Sequence, residues 1–234
     1  MNQTQQKGLK LLIIVAALGY FVDVYDLVLF GVIRVPSLKG IGITSDADIA
    51  FYGKMLFNYQ MYGMLIGGIF WGILGDKKGR LSVLFGSIFL YSTANVLNGM
   101  ITSVEQYKIL RFIAGFGLAG ELGAGITLVS ESMSKEKRGY GTTIIASVGV
   151  IGAVVASAFS HKFDWRINYY IGGAMGFALL IMRIGVAESG MYKQLAQKEK
   201  VSKGNILMLF RNMTTFSKYF SVIVVGIPIW YVLN

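Results

Sequence analysis

Six runs of mostly apolar residues, each close to the roughly 20 residues a helix needs to cross a hydrocarbon core, follow one another along this chain. They lie at Leu11–Arg34, Tyr52–Gly75, Leu81–Thr102, Tyr107–Ser130, Gly141–Ser160 and Ile167–Ala187. A soluble fold has no room for six such segments, so an all-α membrane protein with six transmembrane helices is expected. Composition agrees: 54% of residues are apolar, against about 45–50% in average soluble domains. The 30 glycines, 2 prolines and absence of cysteine suit helices packed closely in lipid, with small residues at the contacts and no disulfide between them. The first run continues through Phe30 without a small-residue cleavage site, so no removable signal peptide is expected.

After Ala187 the character changes. A polar stretch rich in Lys and Gln extends from Glu188 to Lys218, and Tyr219–Asn234 opens a further apolar run too short to cross. The expected organisation is a six-helix bundle over 1–187, a cytoplasmic linker over 188–218 and the start of a truncated seventh helix over 219–234.

A formal charge of +10 would favour nucleic acid in a soluble protein. Here the basic residues fall between apolar runs and not along a stripe interleaved with aromatics, so the lipid surface is the expected partner and nucleic acid is not. With a cytoplasmic N-terminus, that side collects Lys7, Lys10, Lys77, Lys78, Arg80, Lys135, Lys137, Arg138 and the basic residues from Arg183 to Lys218. The other side receives only Arg34, Lys39, Lys54, Lys108, Lys162 and Arg166. This bias predicts a multi-pass protein of the cell (inner) membrane with its N-terminus in the cytoplasm.

A charge at the bilayer centre costs from about 2.5 to more than 10 kcal/mol, so ionisable residues inside a span normally face a bundle interior or a watery path. The first run holds Asp23 and Asp26, three residues apart and therefore on one helical face, with Tyr25 between them. The fourth holds Arg111 and Glu121, and the second offers Asn58, Tyr59, Gln60 and Tyr62 in its outer half. If the six helices are two copies of a three-helix unit, the first and fourth are equivalent, and these carry the deepest charges, a pattern that suits a transporter repeat. Burial disfavours a charged carboxylate and a nearby arginine favours it, so a carboxylate that exchanges between those settings binds and releases a proton; Asp23, Asp26 and Glu121 are the candidates. An alternative stays open, in which Asp23, Asp26, Arg111 and Glu121 form buried ion pairs that only fix packing.

Other features read more plainly. Asn95 and Asn98 in the third run are expected to be packing residues, and His161, beside Lys162 in a predicted outer loop, a solvated histidine. Glycines at helical spacing, Gly63, Gly67, Gly68 and Gly72 in the second run and Gly115 to Gly125 in the fourth, favour close helix approach; beside Arg111 and Glu121 they could equally open space for a substrate. Gly115 to Gly120 superficially matches a dinucleotide fingerprint, but no strand precedes it and the match is rejected. No metal or cofactor site is expected.

Between the second and third runs stands Gly72-Ile73-Leu74-Gly75-Asp76-Lys77-Lys78-Gly79-Arg80. It resembles the cytoplasmic loop signature of the major facilitator superfamily, G-x-L-A/G-D-R/K-x-G-R. Four further elements follow in order. Val22-Asp23-Val24-Tyr25-Asp26-Leu27 is similar to the E-W-Y-D-F element of the metabolite:proton symporters, with Asp23 where Glu is usual. Arg111 through Glu121 resembles their R-x-x-x-G-x-x-x-G-G-E with Ala119 replacing a glycine, and Glu131 through Arg138-Gly139 resembles the superfamily's E-x6-R-G. Arg183 with Glu188, Ser189 and Tyr192 looks like the R…E-S/T-P-x-F ending of the sixth span, without its proline.

The resemblance implies the N-terminal six-helix bundle of a fold made of two such bundles, with the substrate site between them and a C-terminal bundle as the expected missing partner. It implies that Asp26, Arg111 and Glu121 line the central cavity, with Asp23 less closely matched, and that Gly72, Gly75, Asp76, Gly79, Arg80, Glu131 and Arg138 belong to a cytoplasmic gate. The expected function is proton-coupled symport of a small organic metabolite, such as a carboxylate, amino acid or osmolyte, by alternating access and without covalent chemistry. The alternatives are an inert truncated half-transporter and a facilitator or sugar-porter-like relative without proton coupling. The fifth run lacks the G-P pair typical of drug antiporters, which favours uptake over efflux.

Overall fold

The structure, a computed structural model, describes the backbone of residues 3–132 and 138–188, the side chains within 13–79, 82–121 and 139–184, and isolated residues between 213 and 224. The chain divides into two compact units, Met1–Glu199 and Lys200–Asn234. In the second, the described residues are helical, and the Phe216 and Phe220 rings stack one turn apart with 6.0 Å between centroids. The rest of the expected linker over 188–218 and of the seventh-helix start over 219–234 lies outside the described residues.

Among its described residues the first unit holds six helices, one for each apolar run: α1 (Gln3–Gly40), α2 (Asp46–Lys78), α3 (Arg80–Asn98), α4 (Val104–Ser132), α5 (Arg138–Lys162) and α6 (Trp165–Glu188). Several extend beyond the apolar windows, because backbone pairing continues past the point where side chains turn polar. α1 runs on through Pro36 to Gly40. α2 starts at Asp46, with Asp46 and Asp48 in its first turn and Lys77 and Lys78 in its last, each opposite in sign to the helix end it sits on.

Among the described residues, three helices are long and apolar enough to cross a membrane, over Ile13–Gly40, Gly139–Lys162 and Trp165–Ile184. In α2 the run is diluted by Asn58, Tyr59, Gln60 and Tyr62; in α3 and α4 the described side chains stop at residues 82–98 and 104–121. A helix surrounded by others in a bundle can carry polar groups on the face it buries, so it need not be apolar all round.

The turn between α2 and α3 is made by one residue. Gly79 adopts φ +91, a backbone conformation that side-chain-bearing residues seldom take, and its N–H bonds Gly75 O at 3.0 Å. Gly72 and Gly75 of the same signature lie inside α2.

α1 packs chiefly on α5, α2 on α4, and α3 on α4 and α6. Exchanging α1–α3 for α4–α6 converts the α1/α5 contact into the α4/α2 contact, the relation expected of two three-helix copies. Both contacts are close. A methyl group added at Gly63 or Gly67 of α2 would enter the α4 backbone at Phe112 and Phe116, and one added at Gly115 would enter the α2 backbone at Gln60. Gly152 of α5 stands in the same relation to Phe21 of α1. Trp71 Nε1 further ties α2 to α4 by donating to Phe116 O at 2.7 Å. Gly68 and Gly72 face open space and take no part.

Two apolar clusters fill the interior, one around Val15, Val22, Leu84, Ile88 and Leu179, the other around Leu29, Ile33, Leu56, Ile101 and Trp165. α1 passes from the first to the second between Val22 and Leu29, the stretch that carries Asp23 and Asp26.

Candidate functional site

The two aspartates of α1 are both buried, at 1% and 0% exposure, yet they face different neighbours. Asp26 Oδ1 accepts a hydrogen bond from Asn95 Nδ2 of α3 at 2.6 Å, and Asp26 Oδ2 has no partner among the described residues. Arg111 of α4 lies within electrostatic reach of Asp26 but donates elsewhere, to Gln60 Oε1 of α2. Its guanidinium rests on the Phe30 ring, 4.6 Å from the centroid, and its Nε and Nη1 are also without partners among the described residues. Among the described residues, Asp26 and Arg111, which also interacts with Tyr169, thus lie within electrostatic reach of each other without forming a hydrogen bond.

A hydroxyl chain supports the arginine. Ser37 Oγ donates to Arg34 O at 3.0 Å and lies 3.1 Å from Tyr107 OH, which is 2.6 Å from Tyr169 OH. With the serine proton committed to the carbonyl, donation runs from Tyr169 to Tyr107 to Ser37, and the Tyr169 oxygen keeps its lone pairs for a donor. The Arg111 guanidinium carbon is 6.0 Å from that tyrosine's ring centroid.

Asp23 belongs to a second group. Arg183 of α6 donates from Nη1 to Glu121 Oε2 at 2.6 Å and from Nη2 to Glu121 Oε1, a two-pronged ion pair in which each side chain is 2% exposed. Asp23 lies within electrostatic reach of both, and its Oδ1 has no partner among the described residues. Tyr91 of α3 is buried against the same group.

The structure thus gathers Asp23, Asp26, Arg111 and Glu121 in the bundle interior. It does not bring Asn58 to them. Tyr25 is buried within electrostatic reach of Asp26 and donates its hydroxyl to Asn168 O at 3.1 Å, joining α1 to α6. Asn58 lies on the exposed face of α2, while Gln60, two positions on, points inward and holds Arg111. Asp76 is exposed near the end of α2; Arg80 opens α3, Glu131 lies in α4 and Arg138 opens α5, and the side chains of these three are outside the described residues, as is the gate network built on them.

Two contacts add to the sequence reading. Asn95, expected to be a packing residue, packs by donating its amide to Asp26. Arg183, counted above with the cytoplasmic charges, is buried in α6, because Glu121 gives its guanidinium two acceptors inside the bundle. Both had a signal. Arg183 sits within the sixth apolar run much as Arg111 sits within the fourth, and Ser87, Tyr91, Asn95 and Asn98 repeat at helical spacing down one face of α3, all four buried.

Comparison with known proteins agrees with this architecture. The sialic acid transporter NanX of Escherichia coli (strain K12) is 28% identical over 215 residues, covering 90% of this chain and 50% of NanX. The benzoate transport protein of Acinetobacter baylyi is 30% identical over 197 residues, covering 80% of this chain and 41% of its own. The niacin transporter NiaP of the same organism is 29% identical over 182 residues, covering 76% and 40%. The chain spans about half the length of the curated relatives it matches. Among solved structures, the proton:xylose symporter XylE superposes with a TM-score of 0.68 over 82% of this chain and 49% of XylE at 15% identity, a likeness of fold. The Major Facilitator Superfamily model matches residues 16–233, and the chain therefore belongs to that superfamily of membrane transporters.

Proposed function

We propose that this chain is the N-terminal half of a proton-coupled symporter that takes up a small organic acid by alternating access, with all six helices crossing the cell inner membrane and the N-terminus in the cytoplasm. The observation that carries this reading is the unclosed pair of Asp26 and Arg111. Asp26 is fully buried and held by one hydrogen bond, its other oxygen has no partner among the described residues, and Arg111, within electrostatic reach, is held by Gln60. A carboxylate that meets an arginine in one conformation and water in another releases its proton in the first and binds it in the second. Symport of one proton with a monoanion moves no net charge, so the pH gradient is the drive, at about 1.4 kcal/mol, or tenfold accumulation, per pH unit. The organic-acid class is favoured because relatives carry the names of niacin, sialic acid and benzoate transporters. The C-terminal bundle would complete the path, and Asp76 with Arg80, Glu131 and Arg138 would form the cytoplasmic gate.

The test is uptake of labelled nicotinate, sialate and benzoate by proton-tight vesicles carrying the full-length gene product, under an imposed inward proton gradient. Accumulation of one of them that collapses with an uncoupler and is lost in Asp26→Asn, with the variant still inserted, is the expected outcome. Uptake indifferent to the uncoupler would replace symport by facilitated diffusion on the same fold.

A further inference from the structure

We propose that α3 and α6 hold a site for ordered water inside the bundle, lined by Asn95 and Asn98 of α3 and Asn168 of α6. The site needs no group to titrate, and only its consequence for Asp26 rests on the symport reading.

Asn98, the last residue of α3, is fully buried, and neither its Oδ1 nor its Nδ2 has a hydrogen-bond partner among the described residues. Asn95 Oδ1 and Asn168 Oδ1 are in the same position. These two amides cannot turn to find partners, because their nitrogens are committed. Asn95 Nδ2 donates to Asp26 Oδ1 at 2.6 Å, and Asn168 Nδ2 donates to Phe163 O and Asp164 O, each at 3.0 Å. Packing brings the three side chains together. α3 and α6 run antiparallel, with Tyr170 against Gly99, Gly173 against Val96 and Gly176 against Ser92, a register that sets Asn168 level with Asn98. Asn95 and Asn98 share a face of α3, as Asn168 and Gly172 share a face of α6, and Gly172 looks toward Asn95 and Tyr25.

Room and chemistry both suit water. At Gly173 and Gly176 a methyl group would collide with α3, but at Gly172 its nearest neighbours would be Tyr25 at 3.3 Å and Asn95 Nδ2 at 3.6 Å, so a space the size of a methyl group lies before it. A buried water makes about three hydrogen bonds, and protein interiors satisfy nearly all their polar groups with protein or with such water. Asn98 presents a donor and an acceptor, and Asn95 and Asn168 present an acceptor each. A cation would answer only the oxygens and an anion only the nitrogen, whereas water answers both. Beyond Asn98, α6 is tied across the end of α3: Tyr170 OH donates to Gly99 O at 3.0 Å and Arg166 Nη2 to Ile101 O at 3.1 Å. Asp26 borders the site through its bond to Asn95, and its Oδ2 has no partner among the described residues. On the symport reading, this gives the carboxyl a water to exchange its proton with on the α3 side, while Arg111 of α4 lies within electrostatic reach.

Radiolytic hydroxyl labelling of the full-length protein in lipid nanodiscs, in isotope-enriched water, tests this. Tyr25 is the reporter, because its ring borders the site, and Tyr107 is the control, equally buried but with its hydroxyl engaged by Ser37 and Tyr169. Tyr25 should take up label and Tyr107 should not. Gly172→Ala, whose methyl group fills the place of the water, and Asn98→Leu, which removes both polar ends, should each abolish labelling of Tyr25. If Asn98→Leu does not fold, Gly172→Ala decides alone. Labelling of Tyr25 no greater than that of Tyr107, or unchanged in Gly172→Ala, overturns the proposal. The labelling needs neither substrate nor gradient, so its failure and a failure of proton-driven uptake can be told apart.

Discussion

Asp26 keeps one oxygen on Asn95 and leaves the other uncommitted, and Arg111 divides itself between Gln60 and the Phe30 ring. A hydrogen bond to a charged group contributes about 1.5–3 kcal/mol, so Asn95→Ala and Gln60→Leu should each lower proton-driven uptake about tenfold or more. Asn58→Ala should leave uptake within about twofold, since surface changes away from such features are usually close to neutral. Initial rates normalised to the amount of inserted protein check all three, and a larger loss in Asn58→Ala than in Gln60→Leu would reverse the assignment of roles along α2.

At the scale of the element, glycine counts by what it faces. Gly63, Gly67 and Gly115 bring the α2 and α4 backbones together, whereas Gly68 lies in the same sequence run and faces open space. Overpacking a tight contact costs about 1–3 kcal/mol, so Gly63→Ala and Gly115→Ala should lower the unfolding midpoint in detergent while Gly68→Ala leaves it unchanged. Tryptophan fluorescence follows this directly, because Trp71 donates into the same contact at Phe116 O. The α1/α5 contact is built the same way at Gly152, and Gly152→Ala should behave like Gly63→Ala. The match between the two contacts is what an internal three-helix repeat requires.

At the scale of the whole molecule, the proposed topology sets which side each loop occupies. The chain contains no cysteine, so single substitutions report cleanly. In intact cells a membrane-impermeant thiol reagent should label Lys39→Cys and Lys162→Cys, at the ends of α1 and α5, and spare Lys77→Cys and Lys78→Cys at the end of α2. Labelling of the second pair alone would invert the topology and place the N-terminus outside.

Much of this protein was set by local chemistry that can be read residue by residue. Helices follow from the apolar runs, since a backbone in hydrocarbon must satisfy its own hydrogen bonds. The burial of Asp23, Asp26, Arg111 and Glu121 follows from the cost of exposing charge to lipid. Partner choice does not follow from these rules, because it depends on which faces of distant helices meet. Only packing decided that Glu121 belongs to Arg183 and not to Arg111, that Asn95 serves Asp26, and that Gln60 turns inward where Asn58 turns out. Helical spacing places a side chain on a face within its own helix; the neighbour across that face is chosen by contacts between segments such as Glu121 and Arg183, more than sixty residues apart in the chain, and tertiary structure alone makes that choice.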